Sequence, residues 1–547
     1  MENTQPDPAR RGYLFTRCPR SDIICFDGAA SGEVGSSNQS PHMNPTLPIP
    51  PAWRWRMATI LVVFFGVLFW LFTFAYHRFA RSNFDAYAAE LVAKGESLEV
   101  DALRPPPIEN PQDDVAAAPV FAGLLDRCLA DTETNGDDDP VWGELDPEAI
   151  PGFTTKNVQR PDKRVRYLTN PALSHGFDSP DEAAAARMYL AHGEAHSDLL
   201  KEIREALARP RADFKPPYGD FTASFPGLNN FTVTGKFLHS HGQAALLLGQ
   251  NDLAKSDVIA MLHLSRHLGT QATLIHLLIG ITVHDLAISL IHEGLAKGKW
   301  GEADLLAFED ALESKWIEEA FLTAVRMERA SAIVSPEPDP SEAESFMEPL
   351  PTWIRILNYI PDVRKGWCFD NMEHNCRRLQ ESILEDDKGE RLTTRLAIPL
   401  GDLPEISPPR GDLRDRFRFH LETFRHGFAE AGFAAFTGMR MKALRSRVFR
   451  DQARIAVALD LHRGRHDGFP TNLEALVFPD TAPLPLDPFT GASYVFRPLD
   501  KADYLLYSPG PDSSDDGGLI RYNHNKGDWV WRLNLPDDFD FEEYWAW

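Results

Sequence analysis

Residues 57–76 read MATILVVFFGVLFWLFTFAY, twenty positions without a charged side chain. A helix of that length rises about 30 Å, the thickness of a bilayer's hydrocarbon core. Trp53, Trp55, Trp70 and Tyr76 lie at or near its ends, where amphipathic rings favour the headgroup zone. Arg54 and Arg56 precede it, and His77, Arg78 and Arg81 follow. Core helices rarely run so long without a charge. A cleaved signal does not fit either, because a long tail comes first and no small-residue cleavage site comes after. The stretch therefore predicts one transmembrane helix with a tail on one side and a large body on the other.

The rest of the composition agrees with a water-soluble body. The chain has 547 residues, 56 Lys+Arg against 80 Asp+Glu, and a formal net charge of -24. At roughly 150 residues per domain, there is room for three or four units. A sequence pI near 5.2 argues against binding a nucleic-acid backbone, and a mean hydropathy of -0.31 argues against many spans. Residues 1–56 carry six Arg and five acidic side chains, so the acidic excess belongs to the residues after the tail. Counting Lys and Arg within twenty residues of the span gives two before it and three after it, which leaves orientation open. A short Arg-bearing tail kept inside, with the bulk of the chain on the extracytoplasmic side, is the more natural arrangement.

Outward from the span the pattern predicts a mainly α fold. Residues 1–56 lack hydrophobic periodicity and read as a disordered tail. Residues 77–180 read as a juxtamembrane helix, a polyproline segment at 104–107, a helix capped by Asp113 or Asp114, and loops holding the acidic run 137–139. Residues 181–334 read as an α-helical hairpin domain with helices over 181–207, 235–248, 251–268, 270–295, 302–312 and 316–333. Asn251 or Asp252 starts the third of these and Gly269 stops it. The span 235–268 is 34 residues long with Leu248, Gly249 and Ala254 near its turn, so the body resembles tetratricopeptide hairpins, but no second copy keeps that spacing and a generic α-hairpin stack is the simpler reading.

Residues 335–351 are an acidic, Pro-rich linker, and 352–463 are helical again, with a long helix over 415–462 broken near Gly432 or Gly438. Over 464–533 the period changes to short aromatic runs, at 494–497, 504–507 and 529–533, as in an antiparallel β-meander. Residues 534–547 form an acidic aromatic tail. The fold class is thus mainly α, with one transmembrane helix, a helical-hairpin body and a small C-terminal α+β module.

Five cysteines include no CxxC pair, and Cys368 and Cys376 on one helix would be about 12 Å apart, too far for a disulfide. Ten of the 18 histidines fall between His175 and His292. His192/His196 and His263/His267 share helix faces as zinc ligands often do, whereas His276, His284 and His292 repeat every eight residues and drift around the helix. HGEAH at 192–196 is not HExxH, since its Glu lies one place late. Thr234-Gly235-Lys236 lacks the earlier Gly of a phosphate loop and has Phe237 in place of Ser or Thr. No residue stands out as catalytic or cofactor-binding.

Residues 451–518 resemble the C-terminal module of the major pseudopilins of type II secretion. The resemblance rests on a helix end (Ile455, Ala456, Ala458, Leu459), then Gly468-Phe469-Pro470-Thr471, then Leu486-Asp487-Pro488-Phe489-Thr490-Gly491 with Tyr494. It closes on Tyr504, Leu506, Ser508, Gly510-Pro511-Asp512 and Asp515-Asp516-Gly517-Gly518. In that family the closing loop binds calcium, so the resemblance implies a calcium site using Asp512, Asp515 and Asp516. The family's later Asp-x-Asp pair is replaced by Leu519-Ile520-Arg521, and the Gly-Phe-Thr-Leu-x-Glu motif of pilins does not precede Met57. The whole chain resembles uncharacterised bacterial single-pass membrane proteins with the same order of parts, a likeness that brings no activity with it.

Three readings follow. The leading one is a single-pass, membrane-anchored envelope protein with an interaction or scaffold role, meeting a protein partner through its hairpins or its aromatic tail and binding no nucleic acid. The alternatives are a membrane-anchored, metal-dependent hydrolase using the His-rich helices, and a secretion-system accessory protein with a calcium-stabilised C-terminal module.

Overall fold

The computed structural model describes residues 52–130, 182–219, 225, 227–312, 316–334, 352–357, 359–386, 392, 413–476, 478, 483–499, 501, 503–518 and 527–533. The expectations for residues 1–51, the loops of 131–181, the linker 335–351 and the tail 534–547 lie outside the described residues. The chain divides into two compact units, Met1–Val67 and Leu68–Trp547.

Helix α1 (Ala52–Ala93) starts in the first unit and continues into the second. Through the apolar run it presents large side chains outward; Ile60, Val62, Phe65 and Phe72 are all at least 60% exposed. It stops at Gly95, whose φ of 83° is the left-handed conformation that favours glycine. The Glu96 amide then reaches back to the Leu91 carbonyl at 3.0 Å and the Gly95 amide to Val92 at 3.0 Å, a Schellman closure. Among the described residues two helices are long and apolar enough to cross a membrane by length and composition: Trp55–Ala93 and Leu274–Ala296.

The second unit is mainly helical. Helix α2 (Pro119–Ala130) begins at its proline, not at Asp113 or Asp114. The Asp114 carboxylate instead accepts the Ala116 and Asp213 amides, both at 3.0 Å, and pins two loops together. The single helix expected over 181–207 is two, α3 (Glu182–Ala195) and α4 (Ser197–Leu207), separated at His196 with φ -111° and ψ 23°. Helix α5 (Leu228–Leu247) starts earlier than expected, at the left-handed Gly227.

Helices α6 (Asn251–Gly269), α7 (Leu274–Ala296), α8 (Glu302–Leu312) and α9 (Trp316–Val334) follow the sequence reading closely. Short connections make α5, α6 and α7 successive neighbours. The α6–α7 crossing is close: a Cβ on Gly280 would lie 2.8 Å from the Ser265 carbonyl oxygen. Helix α10 (Pro361–Leu379) ends in a π turn at Gln380–Leu384. The last helix, α11 (Leu413–His466), runs unbroken past both Gly432 and Gly438.

Three short strands close the described chain: β1 (Val495–Pro498), β2 (Tyr504–Ser508) and β3 (Trp529–Arg532), antiparallel in the order β1-β2-β3. Phe496 faces Leu506, which faces Trp531 across the sheet. This sheet shares one apolar core with the hairpins. Val448, Ile455, Ala456, Val457 and Leu459 of α11 are inaccessible and sit between the two. Each such Leu or Ile removed from water contributes about 1.5–3 kcal/mol, so α11 joins the helical body to the sheet.

Where α1 ends, Glu96 is buried against two arginines. Arg326 Nε donates to its Oε2 at 2.9 Å and Arg329 Nη2 to the same oxygen at 2.8 Å. Burial draws this carboxyl up, but the hydrogen bonds and charges of Arg326 and Arg329 outweigh it and lower it to about 2. A carboxylate depressed by folding stabilises above its unfolded value and loses that contribution as pH falls through the folded value. Glu96→Ala should therefore cost about 3–5 kcal/mol at neutral pH, because it leaves two buried guanidinium groups without their partner. That difference from wild type should shrink as pH falls from the ordinary 4.5 to about 2, read from urea midpoints across that range.

Candidate functional site

Between α6, α7, α8 and the start of α9 lies a cleft of about 320 Å³, also lined by Arg450 of α11. His263 and Arg266 are three apart on α6 and so share a helix face. Asp310 comes from α8, His284 from α7, and Trp316 is the first residue of α9, its ring 5.9 Å from that of His284 in an edge-on arrangement.

His284 is oriented by a short polar chain. Ser446 of α11 donates its hydroxyl to Asp285 Oδ1 at 2.7 Å, and the same Ser446 oxygen lies 3.0 Å from His284 Nδ1. A hydroxyl has one proton to give, so Ser446 accepts from Nδ1–H and Nε2 is the ring nitrogen left for a ligand. Burial, followed by the nearby Arg266 charge, lowers the His263 pKa, while Asp310 opposes the shift. Arg450 is committed elsewhere, donating to Glu318 at 3.0 Å and Asp451 at 2.8 Å. Arg266 has no hydrogen-bond or ion-pair partner among the described residues, so its guanidinium is the group suited to a carboxylate or phosphate. No Ser, Cys or Thr lines the cleft among the described residues. The geometry suits binding a small acidic molecule beside the Trp316 ring.

The sequence brought His263 and His267 together, yet the fold separates their roles. His267 is buried and its Nε2 donates to the Leu207 carbonyl at 3.0 Å; burial lowers its pKa to about 4. The rings of His192 and His196 lie 4.6 Å apart, and His196 Nδ1 bonds the His192 carbonyl. His239 pairs with Ser289 at 3.1 Å, His241 with Asp257 at 2.7 Å, His276 with Thr273 at 2.7 Å, and His292 with the Arg532 carbonyl at 2.9 Å. Among the described residues no three His, Cys, Asp or Glu side chains gather as a metal ion requires. Cys368 and Cys376 are both buried.

The C-terminal loop carboxylates hold backbone. Asp512 Oδ1 accepts the Ser514 amide at 3.2 Å and its Oδ2 the Gly527 amide at 3.3 Å. Asp515 Oδ1 accepts from the Tyr507 hydroxyl at 2.7 Å and the Gly517 amide at 2.8 Å, which hold its pKa down. The Asp516 amide donates to Asp528 Oδ1 at 3.3 Å. Asp528, which the sequence reading did not single out, thus joins the same loop. Its pKa is raised by burial and by the charges of Asp515 and Asp516, against the pull of the Gly518 and Asp516 amides. Residues 519–526, where the family's remaining ligands would stand, lie outside the described residues.

No known protein family, curated protein or solved structure matches the chain.

The two cleft arginines should behave oppositely. Arg266→Ala should change the unfolding free energy of the full-length chain by no more than about 0.5 kcal/mol, because no described partner is lost. Arg450→Ala should lose about 3–5 kcal/mol by stranding two buried carboxylates. Equal losses would show that Arg266 is structural.

Proposed function

We propose that this chain is a single-pass, membrane-anchored protein of the bacterial envelope, with the bulk of its residues on the extracytoplasmic side and an interaction or scaffold role. The observation that carries the anchor is a contrast between the two apolar helices. In Trp55–Ala93 only 6% of the most apolar window is buried, whereas in Leu274–Ala296 72% is. Apolar side chains left open to water along several turns cost about 25 cal/mol per Å² relative to burial, so the first helix needs a lipid environment. The second already has its environment in the core of the hairpins.

The scaffold role is supported by the stack of hairpins α5 to α9, which we take as tetratricopeptide-like. Full-length protein should stay in the membrane pellet after alkaline carbonate washing, and a variant lacking residues 57–76 should move to the soluble fraction. Release of the full-length chain by carbonate would overturn the anchor. Cross-linking of intact cells that recovers the chain alone would overturn the scaffold role.

A narrower reading, as a secretion-system accessory with a pseudopilin-like module over 451–518, is favoured by Asp528. This fourth carboxylate shares the loop with Asp515 and Asp516, its pKa raised first by burial and then by their charges, a repulsion that a bound cation would relieve. Calcium should then raise the melting temperature of the full-length chain, and Asp512→Ala with Asp515→Ala should abolish the rise. A melting temperature indifferent to calcium would end this reading.

A further inference from the structure

The register between α1 and α10 fixes what must lie beside the end of the apolar run. His77 Nδ1 lies 3.5 Å from Asp362 Oδ1, the Phe84 ring 5.9 Å from that of Phe369, and the Arg377 guanidinium 4.0 Å from the Tyr87 ring. Lys94 then meets Glu385 at 3.1 Å. Partners on both segments rise in number together, so the two helices run parallel, with Pro361 close to the level of His77. Contact there is tight, since a Cβ on Gly366 would lie 2.5 Å from the Tyr76 ring. Chain that immediately precedes Pro361 is therefore delivered to the last turns of the apolar run.

That chain is the short helix Thr352–Leu357 and the turn after it, in which the Tyr359 and Ile360 amides bond the Ile356 and Leu357 carbonyls at 3.1 Å. Leu357 and Ile360 pack with Tyr76 against Val363 and Trp367. Ile356 and Tyr359, by contrast, are 59% and 56% exposed. On α1 at the same end, Phe72 and Phe79 are 70% and 64% exposed. The segment 352–360 reads TWIRILNYI, with Arg355 as its single charged residue and no acid, in a chain of net charge -24. Apolar and aromatic side chains with a lone cation are the composition of helices that lie in the headgroup zone.

We propose that the turn carrying Ile356 and Tyr359 forms a second membrane contact, lying in the lipid headgroup zone beside the point where α1 leaves the bilayer. The occupant of this exposed apolar face is phospholipid. The reason is continuity: the face adjoins the outward phenylalanines of α1 at the end of the segment read as the span. The contact would hold the start of α10 at a fixed height beside α1. It rests on the anchor reading above, and its test separates the two.

Full-length protein carrying an environment-sensitive fluorophore at Ile356→Cys or Tyr359→Cys, with Cys18, Cys25 and Cys128 changed to Ser, is placed in nanodiscs of phosphatidylcholine and phosphatidylglycerol. A third label at Val62→Cys reports the anchor. Labels at 356 and 359 should lose most of their emission to lipid carrying a nitroxide near its headgroup and little to aqueous iodide. The label at 62 should respond instead to a nitroxide deep in the acyl chain. Quenching of 356 and 359 by iodide alone would overturn the proposal while leaving the anchor intact. So would protection from both quenchers, which would mean that a second copy or another segment of this chain covers the face. No nitroxide quenching at 62 would overturn the anchor itself. Both labelled positions are exposed, and an unchanged melting temperature shows that each variant is folded.

Discussion

Arg450 sits in the C-terminal half of α11 with only 3% of its surface exposed, and three parts of the fold meet on it. Its guanidinium donates to both oxygens of Glu318 from α9, at 3.0 and 3.3 Å, and to Asp451 of its own helix at 2.8 Å. Asp451 in turn accepts from the Tyr494 hydroxyl at 3.3 Å, just before β1, and Arg447 adds a contact to Glu318 at 3.2 Å. Taking these ions out of water costs several kcal/mol each, an outlay offset only when geometry and hydrogen bonding are complete. Burial alone would lower the Arg450 pKa; the charges of Asp451 and Glu318 raise it instead. An apolar seam along α11 would tolerate rotation or a slip of one turn. A buried ion network does not, because any slip strands a charge.

The same device recurs at the other end of α9. Glu318 lies in its first turn, while Arg326 and Arg329 further along hold Glu96 from the end of α1. Gln380 accepts from Arg329 and donates to Glu385, which also receives Lys94. Helix α9 thus carries two networks on one rigid rod, about 12 Å apart at 1.5 Å per residue. One locks the long C-terminal helix and the strands, and the other locks the segment that leaves the apolar run. Placement of the residues after Tyr76 and placement of the sheet are set by the same helix.

Local signals carried much of this architecture into the sequence. Periodicity places α6 and the strands, but the expected caps of α6 do not act: Gln250 precedes the helix with no side-chain cap, Asn251 donates to the Lys299 carbonyl, and Gly269 is still helical, packed close against the Trp316 ring. What the sequence could not show depends on distant partners. The break at His196 and the early start of α5 at Leu228 are decided by packing, since Asn230 and Thr234 are polar yet almost fully buried. Gly432 and Gly438 suggested a break in α11, but one glycine costs only about 1 kcal/mol in a helix, less than tertiary contact along α11 returns. The cleft was equally illegible: His284 is oriented by Ser446, 162 positions away, and Arg450 comes from yet another segment. Spacing of i,i+4 on one helix says which side chains share a face, and nothing about what that face meets.

The histidines show why that limit matters for function. A run of imidazoles on apolar helices invites a metal, yet each ring here answers a different demand: the Leu207 carbonyl at the end of α4, Ser289 within α7, the Arg532 carbonyl of β3. A buried carbonyl or hydroxyl without a partner costs about 1–3 kcal/mol, and a neutral imidazole can meet it without bringing in a charge. The deeply buried Arg329 and Arg450 each face carboxylates. Among the described residues eleven Asp and Glu side chains are buried against five Arg, so part of the excess of 80 acidic over 56 basic residues is internal and the rest meets water, which screens it. Against that acidic exterior, the acid-free stretch at 352–360 stands out physically, since a face without carboxylates is one that anionic headgroups do not repel.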